Sequence, residues 1–119
     1  MKTIFVVDDS DTNLATAEEA LEDHYNIMTL PSAAKMFSLL DKITPNLILL
    51  DIEMPVTSGF EALEQLKAGN TWANIPVIFL TGTVNTSIEE QSKKLGAVDI
   101  ITKPFVASIM LERIKEHIS

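Results

Sequence analysis

The chain has 119 residues, the usual size of one domain, and 46% of them are hydrophobic, which is enough to build one packed core. Its 9 lysines and arginines against 17 aspartates and glutamates give a formal charge of -8, which excludes a basic surface large enough to neutralise nucleic-acid backbones. It has no cysteine, so disulfides and Cys-ligated metals are excluded. From the length and the hydrophobic content we expect a single domain over residues 1–119.

Five short runs of β-branched and aliphatic residues alternate along the chain with helical patterns. The first run is stopped by two aspartates and is too short for a signal peptide or a membrane span, so we expect a cytoplasmic protein with no membrane partner. The predicted strands are, in order, Ile4–Val7, Ile27–Leu30, Leu47–Leu50, Val77–Leu80 and Val98–Ile101.

Each predicted helix has one apolar stripe, apart from the fourth. The stripes are Leu14, Ala17 and Leu21, then Met36, Phe37 and Leu40, then Phe60, Leu63 and Leu66, and finally Val106, Ile109, Met110 and Ile114. The fourth helix, between Ile88 and Leu95, is polar along most of its length, which is typical of a solvated helix and also of one that can shift.

Two pairs of residues have the spacing of a capping box at a helix start, namely Ser58 with Glu61 and Thr86 with Glu89. Gly69 and Gly96 follow the third and fourth helices as stop signals. These signals support the boundaries that the apolar stripes indicate.

Strict alternation of strands and helices favours a parallel sheet, because each crossover must place its helix on a face of the sheet. The strands are nearly continuous in apolar residues, as expected when both faces are covered. The predicted fold class is therefore α/β, a three-layer α/β/α sandwich around a five-stranded parallel sheet.

Polar residues follow four of the five predicted strands. Ligands of an open parallel sheet bind beyond the carboxyl ends of its strands, so these residues are the candidates for function. The residues at these strand ends are Asp8 and Asp9 after the first strand, Asp51 after the third, Thr81 with Gly82 after the fourth, and Thr102, Lys103 and Pro104 after the fifth. The second strand ends in Leu30 and Pro31, which indicates an edge position away from the site.

Three carboxylates at one sheet edge repel each other unless positive charge offsets them. Oxygen ligands without histidine or cysteine select a hard cation, so we expect Mg²⁺ or Mn²⁺, with Lys103 as a second positive charge. A carboxylate, a divalent cation, a hydroxyl and a lysine together suit phosphoryl transfer. Asp51 is the candidate nucleophile because it stands alone at its strand end, whereas Asp8 and Asp9 are adjacent and can hold a cation together.

These residues resemble the receiver domain of two-component response regulators, CheY-like in fold, over nearly the whole chain. The matching motifs are Asp8-Asp9-Ser10, Asp51-Ile52-Glu53-Met54-Pro55 followed by Gly59-Phe60, Thr81-Gly82, and Gly96-Ala97 through Lys103-Pro104-Phe105. The resemblance implies strand order 2-1-3-4-5 and a regulator that takes a phosphoryl group on Asp51 from a sensor histidine kinase or a histidine phosphotransfer protein. The resemblance further implies that the phosphorylated regulator switches conformation to regulate an output domain or target protein.

The resemblance also implies roles for individual residues. Asp9 and Asp51 are similar to direct Mg²⁺ ligands, Asp8 to a ligand through water, and the Glu53 backbone carbonyl to a further ligand. Thr81 is similar to the hydroxyl residue that moves to bond the phosphoryl group, with Gly82 leaving room for it. Lys103 is similar to the lysine that pairs with the phosphoryl group, and Pro104 to a cis-proline.

One position departs from the family pattern. Ile100 stands where the family usually has Tyr or Phe, so no ring is present to rotate inward as Thr81 moves. Either Ile100 fills the same space as part of the core, or switching differs here. Glu53 and Thr83 flank the expected path of an attacking water, and we hypothesise that they set the lifetime of the phosphoryl group.

Two other functions fit part of the pattern. A haloacid-dehalogenase-type phosphatase also uses a carboxylate, Mg²⁺ and lysine, but its signature has two aspartates separated by one residue on the first strand. A receiver-like module that is never phosphorylated would lack an acid, the threonine or the lysine, and none is missing here. The chain is thus expected to be a phosphoacceptor rather than a turnover enzyme, and a monomer or weak dimer. Its kinase, its output and its membership of a longer protein stay open.

Overall fold

A computed structural model describes residues 1–69 and 71–118, and its elements alternate as the sequence predicts. Within these residues the strands are β1 (Thr3–Val7), β2 (Asn26–Leu30), β3 (Leu47–Asp51), β4 (Val77–Thr81) and β5 (Asp99–Thr102). The helices are α1 (Asp11–Leu21), α2 (Ala33–Leu40), α3 (Gly59–Ala68), α4 (Thr86–Leu95) and α5 (Ala107–Ile118). Residues 70 and 119 of the predicted domain of residues 1–119 lie outside this description.

The five strands form one parallel sheet in the order β2-β1-β3-β4-β5, which confirms the order that the resemblance implied. β1 lies between β2 and β3, with Val7 opposite both Leu30 and Leu50. β2 is an edge strand, as its apolar end predicted. The carboxyl ends of β1, β3 and β4 are therefore neighbours in the middle of the sheet.

The core has two layers because successive side chains of a strand point to opposite faces of the sheet. One layer packs the strand residues Phe5, Val7, Ile48, Leu50 and Phe79 against α2 and α3. The other packs Ile4, Val6, Leu47, Leu49, Ile78 and Leu80 against α1 and α5. These strand side chains are all fully buried, which fixes the strand ends that carry the polar residues.

The helix starts confirm one predicted cap and correct the other. Ser58 and Glu61 form both hydrogen bonds of a capping box at the start of α3. At α4 the capping residue is Asn85, whose side chain accepts a hydrogen bond from the Ile88 backbone N–H, so the predicted capping role of Thr86 is wrong by one residue. An Asn side chain supplies the same acceptor as Ser or Thr, and Thr86 then occupies the first helical position.

The apolar stripe of α5 is narrower than predicted. Met110 and Ile114 are fully buried, but Val106 and Ile109 are 50% and 47% exposed. Val106 precedes the first residue of the helix, and Ile109 is turned about 100° around the helix axis from Met110, so neither shares the face that packs on the sheet. The prediction that they belong to the buried face is wrong.

No helix among residues 1–69 and 71–118 is both long and apolar enough to cross a bilayer.

Candidate functional site

The polar residues that follow the strands meet at one edge of the sheet. Asp51 is the last residue of β3 and lies opposite Leu80, and Thr81 is the next residue of β4. The Lys103 backbone N–H donates to the Thr81 carbonyl oxygen at 2.8 Å, which ties the chain after β5 to the end of β4. Asp8 follows β1 directly. Parallel pairing of β1, β3, β4 and β5 thus builds the cluster that the sequence predicted.

Lys103 joins two of the aspartates. Its Nζ lies 2.9 Å from Asp8 Oδ2 and 3.0 Å from Asp51 Oδ1. The two carboxylates have side-chain exposures of 0% and 1%, so each would be costly to bury in charged form without a partner. The ammonium group provides that partner for both.

The start of α1 orients Asp8. The Ser10 backbone N–H donates to Asp8 Oδ1 at 2.9 Å, and Asn13 Nδ2 donates to Asp8 Oδ2 at 3.4 Å. Ser10 is also the N-cap of α1 and accepts a hydrogen bond from the Asn13 backbone N–H. Sequence reasoning missed Asn13, although an amide three residues after a capping serine is a local signal that could have suggested it.

Three carboxylates could hold a cation. Oxygen atoms of Asp8, Asp9 and Asp51 lie within 4.8 Å of one another, and Asp9 is exposed while the other two are buried. The donors are all oxygen, which suits a hard divalent cation such as Mg²⁺ better than a soft metal. The exposed side at Asp9 also leaves room for the water ligands that Mg²⁺ retains.

Burial controls the charge of Asp51. Loss of solvation raises the pKa of its carboxyl from 3.8 to about 7, the hydrogen bond from Lys103 opposes this rise, and the nearby negative charge of Asp8 adds to it. The pKa of Lys103 is also raised: burial acts to lower it, but hydrogen bonds to Asp8 and Asp51 outweigh that effect. The Lys103 ammonium therefore offsets only part of the effect that burial and the Asp8 charge have on the pKa of Asp51.

Thr81 is fully buried and its hydroxyl group is saturated with partners. It accepts a hydrogen bond from the Thr83 backbone N–H at 3.1 Å. As a donor it lies 3.1 Å from Glu53 Oε1 and 3.0 Å from the Thr83 carbonyl oxygen. The Glu53 backbone N–H in turn donates to Asp51 Oδ1 at 3.3 Å. The sequence did not predict the contact between the Glu53 and Thr81 side chains.

Two glycines border the site, and they differ in how much space surrounds them. A Cβ atom at Gly59 would lie 2.3 Å from the Asp51 carbonyl oxygen and 2.8 Å from the Ile52 Cα, so the start of α3 packs directly on the backbone of the aspartate. A Cβ atom at Gly82 would have no neighbour within 4 Å. The backbone behind Asp51 is therefore tightly held, whereas the space beside Thr81 is open.

The structure also describes the positions of Pro104 and Ile100. The Lys103–Pro104 peptide bond is cis, the isomer that the resemblance implied. Ile100 is half-buried, packs against the same core layer as Phe79, and lines a cavity of about 460 Å³ between α4, β5 and α5. Ile100 therefore packs against the core as an aliphatic side chain.

Comparison with known proteins adds to this geometry. The family model of the response regulator receiver domain matches residues 4–115. The chain is 38% identical to a protein of Vibrio cholerae named probable cyclic di-GMP phosphodiesterase, over 98% of the chain and 26% of that protein. It is 29% identical to the polar-differentiation response regulator DivK of Brucella ovis, over 98% of the chain and 96% of that protein. A solved structure of a response regulator from Thermotoga maritima superimposes with a TM-score of 0.89 at 28% identity, covering 99% of this chain and 98% of that one. The chain thus spans about a quarter of the Vibrio relative.

Proposed function

The chain belongs to the response regulator receiver domain family of two-component signalling, in which an aspartate is phosphorylated, and we propose that Asp51 is the phosphoacceptor of this chain. The observation that carries the proposal is the Lys103 ammonium group, which contacts the buried Asp8 and Asp51 carboxylates at 2.9 and 3.0 Å beside the Thr81 end of β4. Asp51 lies between the other residues of this group, and its backbone packs closely against Gly59 at the start of α3.

The proposed donor is a phosphohistidine of a sensor histidine kinase or a histidine phosphotransfer protein. An oxygen of the Asp51 carboxylate forms the new bond to phosphorus while the bond from phosphorus to the imidazole nitrogen breaks, and the electron pair of that bond stays on the nitrogen. Lys103 offsets charge on the phosphoryl oxygens during this exchange. The open space at Gly82 supports entry of the phosphoryl group from that side.

The nucleophile must be deprotonated to react. Because burial raises the pKa of Asp51 to about 7, part of the carboxyl population is neutral at neutral pH, and the hydrogen bond from Lys103 favours the reactive carboxylate. Asp8, Asp9 and Asp51, with the Glu53 carbonyl, would hold Mg²⁺ or Mn²⁺. When bound, such a cation supplies positive charge that favours the ionised carboxylates and the incoming phosphoryl oxygens.

After transfer, the Thr81 hydroxyl would donate to a phosphoryl oxygen, and Lys103 would pair with the phosphoryl group. The change would reach an output domain or partner through α4, β5 and α5, with Ile100 following as a packed aliphatic side chain instead of a rotating ring. Glu53 and Thr83 would set the lifetime of the acyl phosphate, since Thr83 directly follows the open position at Gly82.

Several coarser properties belong to the same proposal. We propose that residues 1–119 form one receiver domain, a monomer or weak dimer in the cytoplasm, which catalyses only its own phosphorylation and slow dephosphorylation. The acidic charge of -8 supports the absence of direct nucleic-acid contact. The phosphodiesterase name of the Vibrio relative belongs to that longer protein, of which this chain spans 26%.

Incubation with acetyl phosphate and Mg²⁺, followed by intact mass measurement, tests the proposal. We expect one phosphoryl group per chain, released by hydroxylamine and absent in Asp51→Asn. Asp41→Asn, which changes an exposed aspartate, is the matched control and should be labelled like the wild type. Labelling that persists in Asp51→Asn would refute the assignment, and steady turnover of excess phosphomonoester would favour the phosphatase alternative.

A further inference from the structure

Glu53 contacts both the proposed phosphoacceptor and the proposed switch residue. Its backbone N–H donates to Asp51 Oδ1 at 3.3 Å, and its carboxylate oxygen Oε1 accepts from the Thr81 hydroxyl at 3.1 Å. We propose that Glu53 is a positioning residue that holds the Thr81 hydroxyl proton in the resting state and gives it up when Asp51 is phosphorylated. This inference rests on the proposed function of Asp51.

The Thr81 hydroxyl has one proton and more than one acceptor for it. Its oxygen already accepts from the Thr83 N–H, so the proton points either to Glu53 Oε1 or to the Thr83 carbonyl oxygen, 3.0 Å away. A hydrogen bond to an ionised carboxylate is stronger than one to a neutral carbonyl. The resting state therefore favours the bond to Glu53, and a phosphoryl oxygen must compete with that bond.

Phosphorylation changes this competition through charge. A phosphoryl group adds negative charge and strong acceptor oxygens at Asp51, two residues before Glu53 and in contact with its N–H. Like charges at such short range repel, so the Glu53 carboxylate is pushed away as a better acceptor arrives. The same event thus weakens the old hydrogen bond of Thr81 and offers a new one.

Thr81 and Glu53 differ in exposure, so breaking their hydrogen bond has different consequences for the two side chains. Thr81 is fully buried, so its hydroxyl depends on protein acceptors, whereas Glu53 is exposed and can turn into solvent without disturbing the core. If the Glu53 carboxylate is removed, the Thr83 carbonyl still accepts the proton, and no buried group loses its only partner. Truncation of Glu53 is therefore expected to leave the fold intact while removing one competitor of the phosphoryl group.

A double-mutant cycle separates the hydrogen bond from simple charge repulsion. The measured quantity is the Kd for beryllofluoride, an analogue of the phosphoryl group, in saturating Mg²⁺. We expect Glu53→Ala to tighten binding about fivefold, equivalent to about 1 kcal/mol, and this effect to be much smaller in a Thr81→Val background, where only the charge repulsion remains. Glu64→Ala, which removes an exposed acid on α3, is the charge control and should leave the Kd unchanged.

A second measurement needs neither cation nor analogue. In the metal-free protein, the NMR signal of the Thr83 amide, which donates to the Thr81 hydroxyl, should shift in Glu53→Ala and should not respond to Glu53→Ala in the Thr81→Val background. Thermal unfolding of each variant verifies that it is folded, and Thr81→Ala replaces Thr81→Val if the latter is not.

Three outcomes overturn the inference, and they are distinguishable. Equal tightening by Glu53→Ala in both backgrounds means that Glu53 acts by charge alone, and an unchanged Kd means that it does not compete for the proton. In both cases wild-type binding of beryllofluoride keeps the proposed function of Asp51. If the wild type binds no beryllofluoride, the proposed function fails and the inference fails with it.

Discussion

Burial and ion pairing have opposite effects on the pKa of Asp51. The side chain is 1% exposed and contacts the Lys103 ammonium at 3.0 Å, yet its pKa is raised to about 7 because desolvation and the Asp8 charge outweigh that contact. The folded state therefore holds a proton on Asp51 in a pH range where the unfolded chain has lost it. An acid of this kind destabilises the fold when it ionises.

The Asp51→Asn variant should report this destabilisation as a pH-dependent gain in stability. Because the folded pKa of about 7 lies above the unfolded value of 3.8, the wild type loses stability as the pH rises through this window. In EDTA we expect Asp51→Asn to be more stable than the wild type by roughly 1 to 3 kcal/mol at pH 8, with a much smaller difference at pH 5. Urea unfolding at both pH values measures it, and Asp41→Asn corrects for the change in net charge. An equal difference at both pH values would contradict the raised pKa.

The residues of the site differ in how far sequence could predict them. The meeting of Asp8, Asp51 and Lys103 follows from a general rule, because carboxyl ends of parallel strands share one sheet edge. The hydrogen bond between Glu53 and Thr81 could not be predicted, since it depends on the rotamer of an exposed side chain in the loop after β3, which reaches the end of β4. The same limit applies to the contact between His117 Nε2 and Asp99 Oδ2 at 3.2 Å, which also depends on side-chain rotamers.

Among the elements, strands were predicted more accurately than helix faces. Each strand boundary agrees within one residue because each strand contains a nearly continuous apolar run that polar residues or turn residues interrupt. The buried face of a helix depends instead on how the helix rests on the sheet, which explains the error at Val106 and Ile109. Composition alone predicts a weakly anchored helix at α4, and among residues 86–95 of the structure only Ser92 is buried.

α4 and α5 differ in how they are attached to β5. Arg113 on α5 contacts Asp99 Oδ1 at 2.6 Å and the Ile100 carbonyl oxygen at 3.3 Å, in addition to the buried Met110 and Ile114. α4 rests on the partly buried side chains of Ile88 and Leu95 and on the half-buried Ala97 that follows it. The cavity of about 460 Å³ lies between these two helices, so α4 has both little apolar contact and space beside it.

Hydrogen exchange should reveal this difference between the helices. We expect the backbone amides in the middle of α4 to exchange about two orders of magnitude faster than those of α3, because local opening of α4 exposes little apolar surface. α3 is the internal control, as it has a similar length and buries Ala62, Leu63 and Leu66. Amide exchange followed by NMR at constant pH gives both rates in one sample. Equal protection of the two helices would show that α4 is not the free element.

Divalent cations can interact with this protein in two ways, through its overall negative charge and through the aspartates at one sheet edge. The net charge of -8 attracts divalent cations to the surface in general, but the oxygens of Asp8, Asp9 and Asp51 lie within 4.8 Å of one another at one edge. Cation binding at this cluster should depend on one exposed carboxylate, whereas general attraction of cations to the surface should not. Asp9 is that carboxylate, and its replacement leaves the buried pair of Asp8 and Asp51 on Lys103 in place.

Divalent cation binding should therefore stabilise the fold through Asp9. A ligand that binds only the folded state stabilises it by about 2.7 kcal/mol at about 100 times its Kd. We expect Mg²⁺ to raise the thermal unfolding midpoint of the wild type at pH 8 and to have little effect on Asp9→Asn, with ionic strength held constant by KCl. Asp41→Asn loses the same formal charge at an exposed position after α2 and should respond to Mg²⁺ like the wild type. If all three proteins were stabilised equally, the cation would be acting on the overall charge of the molecule, and the three strand-end aspartates would not form the site.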